Sequence, residues 1–97
     1  SHLWERKKDE NIIFLDCRSP ENAASFVEKY PGFWQNISTE ELREKISQVP
    51  EARELILVCN TGGRSYEAQL ILADNGITNT RNLEGGIGVL KRWGLEL

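Results

Sequence analysis

Histidine is nearly missing from these 97 residues, and the one present is His2, the second residue of the chain. A Ser-His-Asp or Cys-His catalytic pair therefore has no base unless the extreme N-terminus supplies it. Neither histidine-rich zinc spacing nor a CxxC pair occurs, so metal and protease-like chemistry drop out. Cysteine is scarce too. Cys17 and Cys59 are too few for a disulfide scaffold, and no basic-then-apolar leader precedes them, so a cytoplasmic location is expected. A bridge between the two is sterically open if their strands are neighbours, but both are read as thiols. No apolar run approaches the roughly 18 residues of a bilayer helix. An excess of positive charge is also lacking. Twelve Lys and Arg against fifteen Asp and Glu leave −3, with the signs interspersed, which argues against nucleic acid as a partner.

What is present suits one folded domain over residues 1–97. Apolar residues are 39% and charged residues 28%, a globular balance, and the length supports a single modest core with one active site at most.

Along the chain, residues 1–11 read as a helical lead-in. Ile12-Ile13-Phe14-Leu15-Asp16 is a continuous apolar run ending in an acid, the pattern of a strand buried on both faces. Ser19-Pro20-Glu21 signals a helix start, with Ser19 as N-cap, and that helix is expected to stop near Tyr30, before Pro31-Gly32. Phe33 to Ile37 is expected as a brief extended segment. Ser38-Thr39-Glu40-Glu41 has the form of a capping box opening a helix, with Leu42, Ile46 and Val49 on one face and Pro50 closing it. Glu54 to Val58 is the second clear strand. The next helix, Tyr66 to Asn75, buries Ala68, Ile71 and Leu72, and Gly76 with Ile77 forms its stop. Thr80 to Leu83 is a weaker strand, followed by a Gly85-Gly86 turn and a last helix through Trp93, closed by Gly94. Alternating strands and helices imply an α/β domain with a mainly parallel sheet flanked by helices, whose ligands gather outside the carboxyl ends of the strands. Trp4, Trp34 and Trp93 read as core-edge packing, since no basic stripe accompanies them.

The most informative stretch is Cys59-Asn60-Thr61-Gly62-Gly63-Arg64-Ser65. It puts a thiol where a buried strand ends and a helix begins. Backbone N–H groups and the dipole of a helix N-terminus favour negative charge, and with a nearby guanidinium they lower a thiol's pKa toward the nucleophilic thiolate. Cys59 is thus the candidate nucleophile. Asn60, Thr61, Gly62, Gly63, Arg64 and Ser65 are the candidate anion cradle. Beside this stands a plainer reading in which Cys59 is an inert core cysteine and Arg64 a surface ion-pair partner. Asp16 and Arg18 read as supporting residues, capping the next helix or pairing across the loop. Cys17 reads as core filler, with a resolving-thiol role as the alternative.

These residues resemble the rhodanese-like single-domain sulfurtransferases. Leu15-Asp16-Cys17-Arg18-Ser19-Pro20-Glu21 is similar to that family's opening motif, Cys59 to Ser65 to its active-site loop, and Asn82-Leu83-Glu84-Gly85-Gly86 with Trp93 and Gly94 to its closing motif. The resemblance implies that Cys59 takes the outer sulfur of a donor such as thiosulfate as a persulfide and passes it to a thiol or cyanide acceptor, with no metal or organic cofactor. The partners implied are that small anionic sulfur donor and its acceptor, and other domains of a parent chain or sulfur-relay proteins. Neither nucleic acid nor membrane is expected. The family's phosphatase cousins have a loop one residue longer, and the four residues between Cys59 and Arg64 favour sulfane sulfur over phosphate. Two departures stand out. Only eleven residues precede Ile12, which leaves the absence of the family's first strand open, and Glu28 to Phe33 keeps Pro-Gly but not the usual histidine. Two other functions stay open: a non-catalytic binding or regulatory module of a larger protein, and a small-anion phosphatase or reductase of the same fold.

Overall fold

The computed structural model describes residues 12–60 and 63–83. The expected lead-in over residues 1–11, Thr61, Gly62, and the closing segment from Glu84 through Trp93 and Gly94 lie outside the described residues. Strand β1 (Ile12–Asp16) leads into helix α1 (Pro20–Lys29) and the short strand β2 (Trp34–Asn36). After two 3₁₀ turns come strand β3 (Glu54–Val58), helix α2 (Gly63–Asp74) and strand β4 (Thr80–Asn82).

The described strands form one parallel sheet in the order β2-β1-β3-β4. The chain first moves outward from β1 to β2, then returns to the other side of β1 for β3. The order therefore reverses between β1 and β3, and their carboxyl ends splay into the crevice where parallel α/β sheets place ligands. Those two ends carry Cys17 and Cys59.

Both faces of the sheet are covered, which is why β1 and β3 are apolar apart from Asp16 at the end of one and Glu54 at the start of the other. Alternate residues serve opposite cores. Ile12 and Phe14 of β1, with Ile56 and Val58 of β3, pack against Phe26 of α1 and Trp34. Leu15 and Cys17, with Leu55 and Leu57, pack against Ala68, Ile71 and Leu72 of α2. Pro20 starts α1, where its missing N–H is no loss. Ser19 receives the Asn22 and Ala23 N–H groups on its backbone oxygen, and its side chain makes no capping bond. Helix α2 ends as expected. Gly76 has φ +80°, the Ile77 N–H reaches Leu72 O at 2.9 Å, and the Gly76 N–H reaches Ala73 O at 3.0 Å.

The helix expected after Ser38 does not form. Thr39–Glu41 and Ile46–Gln48 are separate 3₁₀ turns, Ser38 makes no side-chain cap, and Glu41 holds Lys45 Nζ at 2.7 Å instead of reaching back. Tertiary bonds override the local signal. The Thr39 N–H donates to Cys17 O at 3.2 Å, pinning the segment to the end of β1, and its one hydroxyl proton is shared between Cys17 O and Arg64 O. The apolar face survives the change of helix type, because Leu42 is buried and Ile46 and Val49 pack against the same core.

Candidate active site

Cys59 directly follows Val58 of β3 and is 1% exposed. The pairing that sets Asp16 opposite Val58, extended by the Cys17 N–H to Val58 O bond at 2.8 Å, puts Cys17 and Cys59 side by side on the α2 face. Helix α2 opens at Gly63, four residues on, and its first turn comes to the sulfur: Ser65 Oγ is 3.5 Å from Cys59 Sγ. Ser65 is fully buried, and its hydroxyl donates to Asn82 Oδ1 at the end of β4. A buried thiol, a buried hydroxyl and a carboxamide thus form a line across the carboxyl ends of β3 and β4.

Arg64 sits on the same first turn but points outward. Its Nη1 pairs with Glu40 Oε1 at 2.8 Å, and both side chains are more than half exposed. The Arg64 carbonyl accepts the Thr39 hydroxyl at 3.2 Å, so the Thr39–Glu41 turn grips the helix start through backbone and side chain together. Asn60 is exposed next to Cys59.

Asp16 and Arg18 occupy the opposite face of the sheet. Asp16 accepts Arg18 Nε and Nη2 at 3.0 and 2.8 Å, the Arg18 N–H at 3.0 Å and Trp34 Nε1 at 3.0 Å. The Arg18 guanidinium lies 4.9 Å from the centre of the Phe26 ring. Asn36 Nδ2 closes the corner by bonding Asp16 O and Arg18 O. This network braces the end of β1 from the α1 side and is not brought to Cys59.

Cys17 and Cys59 are both thiols, with no disulfide between them. Burial pushes the Cys17 thiol up to about 12, the charges of Asp16 and Cys59 add to this, and the Val58 backbone bond acts the other way. Cys17 is therefore a protonated core thiol at neutral pH, its Sγ donating to Leu15 O at 3.6 Å. Among the described residues no group of three or more His, Cys, Asp or Glu is placed to hold a metal, and no helix is long and apolar enough to cross a membrane.

Thr39, Glu40 and Asn82 belong to this neighbourhood but were not singled out from the sequence as site residues. Asn82 had a usable signal in its place at the carboxyl end of an expected strand. Thr39 and Glu40 had none, because their local pattern pointed to a helix start.

Cys59 thus lies buried at the switch point of a parallel α/β sheet, beside the first turn of a helix. Comparison with known proteins gives the family. The Rhodanese-like domain family matches residues 1–92, and the chain belongs to it. A sulfurtransferase from Allochromatium vinosum is 30% identical over 96 residues, covering 98% of this chain and 87% of that protein. A rhodanese-related protein from Thermoplasma volcanium superimposes with a TM-score of 0.75 at 27% identity, over 97% of this chain and 88% of that one. A NAD-dependent persulfide reductase from A. fulgidus gives a TM-score of 0.66 at 31% identity, over 89% of this chain but 17% of its own. The fold is rhodanese-like and the family is of sulfurtransferase type.

Proposed function

We propose that this chain is a sulfurtransferase in which Cys59 carries sulfane sulfur as a persulfide. The observation that carries the reading is the placement of Cys59 Sγ at the first turn of α2, 3.5 Å from Ser65 Oγ, at the β1/β3 switch point. The first N–H groups of an α-helix have no acceptor within the helix, so they and the helix dipole favour a thiolate, a bound anion or a persulfide in front of them. In the first half-reaction the Cys59 thiolate attacks the outer sulfur of a donor such as thiosulfate. A sulfur–sulfur bond forms to Cys59, the donor's own sulfur–sulfur bond breaks, and sulfite leaves with the electron pair. In the second, a thiolate or cyanide attacks the outer sulfur and Cys59 leaves as thiolate.

Asn60, Thr61, Gly62, Gly63, Arg64 and Ser65 form the anion cradle in this reading, with Arg64 turning from Glu40 to the incoming anion. Asp16 and Arg18 hold the strand end in place from the far side. Relatives named for sulfur transfer and persulfide reduction support the assignment. The chemistry suits a cytoplasmic, reducing setting that supplies thiol acceptors, either free or on relay partners.

The test is intact-mass measurement after incubation with thiosulfate. A gain of one sulfur that is lost in Cys59→Ser and discharged by cyanide is the expected result. Hydrolysis of an aryl phosphate without sulfur uptake would assign the loop to phosphate instead, and neither activity would leave a binding module.

A further inference from the structure

We propose that Cys17 is a resolving thiol: when no acceptor comes, it displaces the carried sulfur from Cys59 as hydrosulfide and leaves a Cys17–Cys59 disulfide. The inference rests on the reading of Cys59 as the persulfide carrier and gives the same site a second outcome, sulfide release.

The strand register carries it. Asp16 pairs with Val58, and the Cys17 N–H to Val58 O bond at 2.8 Å continues the β1–β3 ladder, so Cys17 and Cys59 stand side by side on the α2 face. Neighbouring strands lie about 4.8 Å apart, inside the Cα separation of roughly 4.4–6.8 Å that disulfides span. The Thr39 N–H on Cys17 O at 3.2 Å holds the strand end from the other side, so the approach is left to the side chains. Cys17 Sγ now donates to Leu15 O at 3.6 Å, a weak thiol bond that a turn about χ1 gives up. Both residues are buried. Burial pushes the Cys17 thiol up, and the charges of Asp16 and Cys59 add to this, so the two sulfurs lie within electrostatic reach of each other.

The step balances without an outside reagent. Cys17 gives up its proton and attacks Cys59 Sγ, the inner sulfur of the persulfide. A sulfur–sulfur bond forms between the two residues, the bond to the outer sulfur breaks, and hydrosulfide leaves with the electron pair and takes up the proton. The outer sulfur is reduced to sulfide, while Cys17 is oxidised from thiol to disulfide. Burial favours this product, because a disulfide brings no charge into the core whereas an ionised persulfide does. The same burial keeps Cys17 protonated, and a protonated thiol is a poor nucleophile. The reaction is therefore slow. A ready acceptor takes the sulfur first, and only a persulfide left waiting is resolved.

The experiment loads the protein with thiosulfate, removes the donor by gel filtration without air, and follows intact mass and released sulfide over hours, the range of uncatalysed disulfide rearrangement. The expected course is loss of the added sulfur, one hydrosulfide released per persulfide, a protein two hydrogens lighter than its dithiol form, and a peptide joining Cys17 to Cys59 that a dithiol separates. Cys17→Ala, with folding checked by circular dichroism, is expected to keep its persulfide at least tenfold longer and to release no sulfide. Diamide, which oxidises thiol pairs and needs no sulfur donor, is expected to give the same joined peptide in the unmodified protein, so the pairing is read even if the variant misfolds. A loaded persulfide that persists, that decays equally fast in Cys17→Ala, or that decays without the joined peptide overturns the inference and leaves the sulfurtransferase reading standing. Absence of the joined peptide after diamide does the same. A protein that diamide joins but thiosulfate never loads overturns the sulfurtransferase reading, and sulfide release with it.

Discussion

Arg64 Nη1 lies 2.8 Å from Glu40 Oε1, so the guanidinium expected to face an anion is already matched to a carboxylate from the neighbouring 3₁₀ turn. Exposed pairs of this kind contribute roughly 0.2–1 kcal/mol, enough to tax an anion's arrival without blocking it. Glu40→Gln should release Arg64 and remove a negative charge from the approach. The expected result is a KM for thiosulfate lower by about two- to fivefold in dilute buffer, with the advantage fading at high salt. Steady-state kinetics at two ionic strengths measure it. An unchanged KM would mean that Arg64 takes no part in donor binding.

Cys17 makes stability sensitive to alkaline pH. In the folded protein its thiol ionises only near about 12, against an ordinary 9.0 when the chain is unfolded. Between those values the folded state holds the proton that the unfolded state has given up, so stability falls as pH rises through that window. The slope from this one group reaches at most about 1.4 kcal/mol per pH unit. Urea unfolding of the unmodified protein and of Cys17→Ala across pH 8–10.5 isolates its share. The variant is less stable throughout but shows a shallower alkaline decline, whereas parallel curves would contradict the burial argument.

The Asp16 network predicts a clean separation of stability from chemistry. Trp34→Phe keeps a ring to stack on Phe14 and Phe26, whose centres lie 5.3 and 5.0 Å away, but deletes the Nε1 donor to the buried Asp16 carboxylate. A hydrogen bond to a charged group is worth about 1.5–3 kcal/mol, and a loss of that order is expected in chemical denaturation. Sulfur transfer by the folded fraction should be unchanged, because this network lies across the sheet from Cys59. A slowed rate at full stability would move Asp16 from bracing the strand into the chemistry.

Much of the fold was legible because its signals are local. Apolar runs at Ile12–Asp16 and Glu54–Val58, Pro20 at a helix start and Gly76 at a helix stop each depend on what a few consecutive residues can do with their own backbone. The helix after Ser38 shows where such reading ends. Its capping pattern is genuine, but Thr39 finds a better acceptor at Cys17 O, twenty-two residues away, and no local rule registers that competition. Arg64 illustrates the same limit in the candidate site. Its presence near Cys59 follows from the loop, while its present partner depends on a turn that packs against the loop from elsewhere.

By itself the sequence determined the alternation of strands and helices, the placement of Cys59 at a strand end before a helix, and the family to which that order belongs, since each is written in short-range patterns and ordered motifs. Tertiary structure alone decided which strands are neighbours, that Cys17 lies beside Cys59, that Asp16 and Arg18 serve the opposite face, and that Asn82 takes the proton of Ser65. The reason is physical: directional hydrogen bonds and burial are settled between segments only once the chain has closed on itself, and the identity of a side chain does not specify which distant partner will reach it first.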